Sequence, residues 1–282
     1  MDAAYVGDIY AEHLTEADLQ LLAEAAGHQG GAAELRRDPA IIPDLLDHPR
    51  VFAVLFGRSG SASRDLTAIS PFLLFAAAVH RAAAELAVRG AVPYPRVPAA
   101  DVRQMSGFLE SPSRRLFLAE LLSSFVRVTG GRYWVRTEEG ERLRELTELD
   151  LPRLAEILDA VPETDRPGVL RRLGDVALFL AGVLPGYAIR HVFGGVDATA
   201  LWFTVRGAAE PWAGEPAGTA AEEPAVEMLE YLGSHWYRRA WELAPVRSAR
   251  LAVLPEVAEG FRPARRVLNY VAGRYLFAAS GR

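Results

Sequence analysis

The chain has 282 residues, half of them apolar, a formal charge of −5, and neither lysine nor cysteine. Its 31 basic residues are therefore all arginine. This excludes Schiff-base and pyridoxal-phosphate lysines, Walker-type phosphate lysines, thiol nucleophiles, disulfides and thiolate metal sites. The negative charge argues against general nucleic-acid or anionic-membrane binding.

The elements read as mostly helical. Thr15-Glu16-Ala17-Asp18 resembles a capping box ahead of an apolar-periodic stretch to about Ala26. Ser70-Pro71 sets an N-cap before a proline at the first helical position, and that helix is expected to run to about Arg89. Ser111-Pro112 repeats the device before a helix to about Phe125. Alternation across Gly130-Gly131 predicts a small β-hairpin over about residues 126–136. Thr137 is expected to cap a short helix through Leu146. Further helices are expected at Pro152–Ala160, Arg166–Val183, Glu223–Leu243 and Arg262–Ala278, with a second extended piece at Leu201–Arg206. Residues 207–224, rich in Ala, Gly, Pro and Glu, read as a mobile surface loop before a basic C-terminal helical segment. The expected fold is mainly α: a single domain over 1–282, bundle-like, with one hairpin.

No signal peptide or membrane span is visible. The longest apolar candidate, Val176 to Pro185, is ten residues, against the roughly 18 that a span needs. A cytoplasmic location is the expectation. Asparagine occurs once, at Asn269, and glutamine three times, the bias of a GC-rich coding sequence. The missing lysine therefore filters chemistry without signalling a function. Charge is uneven: Arg238 to Arg282 holds nine Arg and three Glu, a net +6, so the remainder carries −11. The acidic part is expected to fold over the basic part, the alternative being an anion- or partner-binding face.

Two helices stand out. The apolar residues of Arg166–Val183 point in every direction, so the helix should be surrounded by protein. Asp175 on it is then expected to be buried, and so paired or shifted in pKa. Arg171 and Arg172 lie within helical reach. In Ser70–Arg89, Phe72, Phe75, Val79, Ala82 and Leu86 form a core stripe, with His80 on its flank. Such a histidine is either a satisfied core residue or a ligand or acid–base group. Downstream, Leu229, Leu232, Trp236 and Ala240 form one stripe, with His235 and Tyr237 beside it. The candidate ligand-binding residues are Asp175, Arg172, His80, His235 and Tyr237.

No dinucleotide fingerprint, P-loop, nucleophile elbow or His-Glu-x-x-His occurs, and no histidine has a Glu three residues before it. His80, Glu120, Asp175 and His235 could assemble a di-metal site, but no spacing supports it. The expectation is therefore no metal and no cofactor. A hairpin with Tyr133, Trp134 and Arg127, Arg132 and Arg136 is similar to the wing of winged-helix regulators. The preceding helix, Arg114–Phe125, is too apolar to lie in a groove.

Leu173, Gly174, Asp175, Leu178, Phe179 and Gly182, followed by Tyr231, Gly233 and Tyr237, resemble a set of uncharacterised helical bacterial proteins. These carry a Leu-Gly-Asp-x-x-Leu-Phe-x-x-Gly segment and a later helix with Gly and paired tyrosines. Trp236 departs from that pairing. The resemblance covers about a third of the chain and implies helicity and no activity. The leading functional expectation is a non-catalytic cytoplasmic binding or regulatory protein with a small-molecule or protein partner. Nucleic acid and membrane are not expected as partners, and homodimerisation is left open. The alternatives are a helical-scaffold enzyme using His and carboxylates with a metal or organic cofactor, and a winged-helix DNA-binding regulator.

Overall fold

The computed structural model describes residues 3–57, 69–88, 97–126, 130–137, 140–147, 149–187 and 222–277. These are mainly helical, and the chain divides into two compact units: residues 1–126 with 266–282, and residues 127–265. No helix among the described residues is long and apolar enough to cross a membrane.

The first unit opens with α1 (Ala3–His13), α2 (Glu16–Ala26), α3 (Gly31–Arg37), α4 (Ile42–Leu46) and α5 (Pro49–Phe56). The expected capping box forms: the Asp18 amide donates to Thr15 Oγ1 (3.1 Å) and the Thr15 amide to Asp18 Oδ2 (2.9 Å). The second Asp18 oxygen accepts the Ser70 amide at 2.9 Å. Ser70 in turn caps α6 (Pro71–Ala87) by accepting the Leu73 amide. One fully buried carboxylate therefore fixes its own helix start and that of a helix whose cap, Ser70, lies 52 residues further on, which is how a charge can sit in a core. Then come α7 (Ala99–Leu109) and α8 (Pro112–Ser124), the latter packed on α6. The core of this unit gathers Tyr10, Leu19, Leu22, Leu35, Ile42, Phe72 and Leu73.

The second unit begins with two antiparallel strands, β1 (Gly130–Thr137) and β2 (Gly140–Thr147). The hairpin expected over 126–136 is therefore corrected. Gly130 and Gly131 open β1 and pair with Thr147 and Leu146, instead of forming the turn. The helix expected from Thr137 through Leu146 is also absent, its place being taken by β2. Glu, Arg and Leu favour a helix locally, but β1, just before it in the chain, supplies a strand partner that overrides that weak preference. Residues 127–129 and 138–139, and with them Arg127, lie outside the described residues.

Next are α9 (Leu151–Ala160), capped by Asp150, then α10 (Arg166–Val183), α11 (Glu222–Leu243), α12 (Val253–Glu259) and α13 (Phe261–Val271). α10 lies along α11 and against α9, and has ten buried residues distributed around its circumference, as its all-round apolarity requires. The boundary between the units falls inside α13, at Arg265–Arg266. A single π turn, Ala272–Leu276, follows it. The extended piece expected at Leu201–Arg206 and the first part of the expected loop, residues 207–221, lie outside the described residues; 222–224 begin α11.

The basic C-terminal stretch is paired within each unit. In the second, Arg262 and Arg265 hold Glu230 at 3.1 and 2.5 Å. In the first, Arg266 pairs with Asp101 and Arg274 with Glu85.

Candidate functional site

His80 belongs to the first unit and is enclosed by it, 1% exposed. Its Nδ1 lies 2.7 Å from Asp47 Oδ1 and its Nε2 lies 2.9 Å from the Tyr10 hydroxyl. Arg115 closes the row on Asp47, at 3.1 and 3.2 Å from its two oxygens. Burial depresses the His80 pKa, overcoming the opposite pull of the Asp47 carboxylate. The ring is therefore neutral: Nδ1–H donates to Asp47, and Nε2 accepts from Tyr10. Burial also raises the Tyr10 pKa, so the phenol keeps its proton. Burial acts to raise the Asp47 pKa, but the hydrogen bond from His80 and the nearby Arg115 charge outweigh it and hold the carboxyl low. Asp47, His80 and Tyr10 stand in the order of a catalytic relay, but the terminal hydroxyl is fully buried and firmly protonated. The row is a satisfied core network.

That network makes the unit acid-sensitive. On unfolding, His80 returns to its ordinary value of 6.5 and binds a proton that the folded ring refuses. Its stability contribution is complete above that value and is lost as the pH falls below it. The Asp47 contribution fades below its ordinary 3.8, and in the second unit His235, also depressed, acts in the same direction as His80. The urea midpoint should therefore fall steadily from pH 7 to pH 4, less steeply in His80→Gln between pH 7 and 5. An equal slope in that variant would remove His80 as the cause.

Asp175, Arg172, His235 and Tyr237 belong to the second unit, so the five candidates are divided between the units. The structure brings Asp175 and Tyr237 together: the Tyr237 hydroxyl donates to Asp175 Oδ1 at 2.9 Å. Arg171 stands 3.9 Å from the other oxygen, the i,i+4 pairing expected of a buried acid, though the Asp175 side chain keeps 14% exposure. Tyr237 is fully buried, and burial together with the Asp175 charge raises its pKa well above its usual value. Gly174 is what admits its ring, since a Cβ there would lie 2.5 Å from Tyr237 Cε1. Gly233 does the same for Phe261, at 2.4 Å from Cζ. The Leu-Gly-Asp segment is thus accounted for by close packing of α10 on α11. Gly174→Ala should cost about 2 kcal/mol net in chemical denaturation, overpacking outweighing the gain in helix propensity. A stabilised variant would mean that the ring yields without cost. Arg172 is half-buried. His235 is half-buried too, its pKa lowered by burial and by Arg239 and Arg238.

A third polar centre, in the first unit, is one that the sequence reading passed over. Glu85, on α6 five residues beyond His80, accepts Arg81 Nε at 2.8 Å, the Tyr270 hydroxyl at 2.6 Å and Arg274 Nε at 2.9 Å. Burial acts to raise its pKa, but the hydrogen bond from Tyr270, the nearness of the Tyr275 hydroxyl and the Arg274 charge prevail and lower it. Burial and the Glu85 bond push the Tyr270 phenol up to about 12. Tyr270 and Tyr275 are five residues apart, which on an α-helix sets them about 140° apart around the axis. The π turn widens the helix there, and the two rings meet edge to face at 6.0 Å. Tyr275 also meets Phe52 edge to face at 4.9 Å, and Phe52 stacks on Phe56 at 4.6 Å. The Tyr275 hydroxyl is shielded from solvent. It is near enough to Tyr270 and Glu85 for them to add to the effect of burial in raising its pKa, yet it makes no properly formed hydrogen bond.

Among the described residues, no group of three or more His, Asp or Glu could hold a metal ion. Comparison of the chain with protein-family models, with curated proteins and with solved structures returns no match.

Proposed function

We propose that the chain is a non-catalytic binding protein that takes a small molecule at the Glu85–Tyr275 centre of its first unit. The observation that carries this reading is the Tyr275 hydroxyl, shielded and without a hydrogen bond. Other shielded atoms without a bond, such as Arg115 Nε and Arg166 Nε, sit on side chains whose charge is met through a terminal nitrogen. The hydroxyl is the only polar group Tyr275 has. Leaving it unmade costs about 1–3 kcal/mol, and a ligand acceptor would recover that cost. Phe52, Phe56 and Tyr275 are half-buried, so an aromatic wall adjoins the hydroxyl. The phenols here hold their protons, and the carboxylate is fully engaged, an arrangement suited to holding a ligand and not to moving its protons.

Tyr275→Phe separates this reading from a structural tyrosine. It should raise the ligand-free stability by about 1 kcal/mol, because a shielded donor disappears. It should also abolish the rise in melting temperature produced by whichever of benzoate, benzamide or benzylammonium stabilises the wild-type protein. A destabilised Phe variant, or no response to any of the three probes, contradicts the reading.

A further inference from the structure

We infer that the ligand of this centre is an aromatic carboxylate, an inference that rests on the binding role proposed for Glu85–Tyr275. Arg81 and Arg274 both spend Nε on Glu85. Their side chains are 35% and 32% exposed, whereas Glu85 is 14% exposed. Among the described residues, two guanidinium groups meet one carboxylate here, a net positive charge, and the arginines are its more exposed members. A second carboxylate would complete it. It would receive charge-assisted bonds from the two forks and would supply the acceptor that the Tyr275 hydroxyl lacks. A neutral amide offers one acceptor without the charge, and an ammonium would be repelled.

The aromatic half of the inference comes from the wall beside those charges. Phe52, Phe56 and Tyr275 form a continuous set of ring contacts, and the Arg81 guanidinium lies 5.5 Å from the Phe52 ring centre. All three rings are partly open. A planar acid can stack on this wall while its carboxylate reaches the guanidinium groups, combining ring contacts with charge pairing in one ligand. The π turn is what sets this up, because it holds Arg274 on Glu85 while bringing the Tyr275 ring against Tyr270 and Phe52.

The test is calorimetric titration of the full chain with benzoate, benzamide, benzylammonium and inorganic phosphate. Benzoate should bind roughly tenfold or more tightly than benzamide and phosphate, and benzylammonium should not bind. Arg274→Gln and Arg81→Gln, at partly exposed positions, should each weaken benzoate by roughly tenfold while the far-ultraviolet spectrum stays unchanged. Tighter binding of benzamide or benzylammonium would overturn the carboxylate assignment and leave the binding site standing. Phosphate binding as tightly as benzoate would overturn the aromatic part. No binding by any probe would overturn both this inference and the proposed function.

Discussion

His80→Ala is expected to destabilise the first unit by about 4 kcal/mol, read from its urea or thermal unfolding. Two losses combine. A side chain that is 1% exposed is replaced by a methyl group, leaving a cavity beside the Tyr10 ring, which the surrounding helices fill only in part. The Tyr10 hydroxyl, 0% exposed, also loses its acceptor, and no water reaches it there unless the cavity fills. Asp47 suffers less, because Arg115 still holds it and its side chain is 41% exposed. His80→Gln keeps an acceptor and a donor and should cost clearly less than the alanine variant. A loss below about 1 kcal/mol for His80→Ala would mean that the Tyr10–His80–Asp47 row does not brace the core.

Tyr237→Ala is expected to cost the second unit about 4 kcal/mol, and Tyr237→Phe only about 1–2 kcal/mol. The ring is among the largest fully buried side chains, seated over Gly174 and 6.0 Å from the Phe261 ring. Removing it opens a space against a glycine that has no side chain to fill it. Removing only the hydroxyl leaves Asp175 with Arg171 nearby and 14% solvent access, so its charge is not stranded. If the two variants cost the same, the hydrogen bond and not the packing of the ring would be what holds α10 to α11. The contrast also bears on function: it is the behaviour of a packing residue, not of a ligand contact.

What was legible in the sequence was local. The Thr15–Asp18 capping box, the Ser70-Pro71 cap and the full extent of Arg166–Val183 each depend on residues within a few positions of one another. Asp175 reads in the sequence as a buried acid needing a partner; it has the partner, Arg171 being visible at i−4, but keeps 14% exposure. Its tighter partner, Tyr237, lies 62 residues away. The hairpin was misplaced because Gly130-Gly131 carries a turn signal, while β2 is made of residues that favour helix until a strand lies beside them.

The Glu85 centre was missed for a related reason. Its one local sign is Arg81–Glu85 at i,i+4, an ordinary surface pair in most helices. Tyr270 and Arg274 arrive from 185 and 189 residues away. The five-residue spacing of Tyr270 and Tyr275 has meaning only on a π turn, and nothing in helical periodicity announces one. His80, five residues earlier on the same helix, stands out in the sequence by its residue type, whereas Glu85 is distinguished only by its distant partners.

The central claim is that Tyr275 is a ligand contact in the first unit. Titration of 13C-tyrosine-labelled protein with benzoate, benzamide and benzylammonium in turn, followed by NMR, tests it most directly. The Tyr275 signal, identified by its absence from Tyr275→Phe, should move and saturate with benzoate while those of Tyr10 and Tyr237 stay in place. A Tyr275 signal that none of the three probes displaces would contradict the claim.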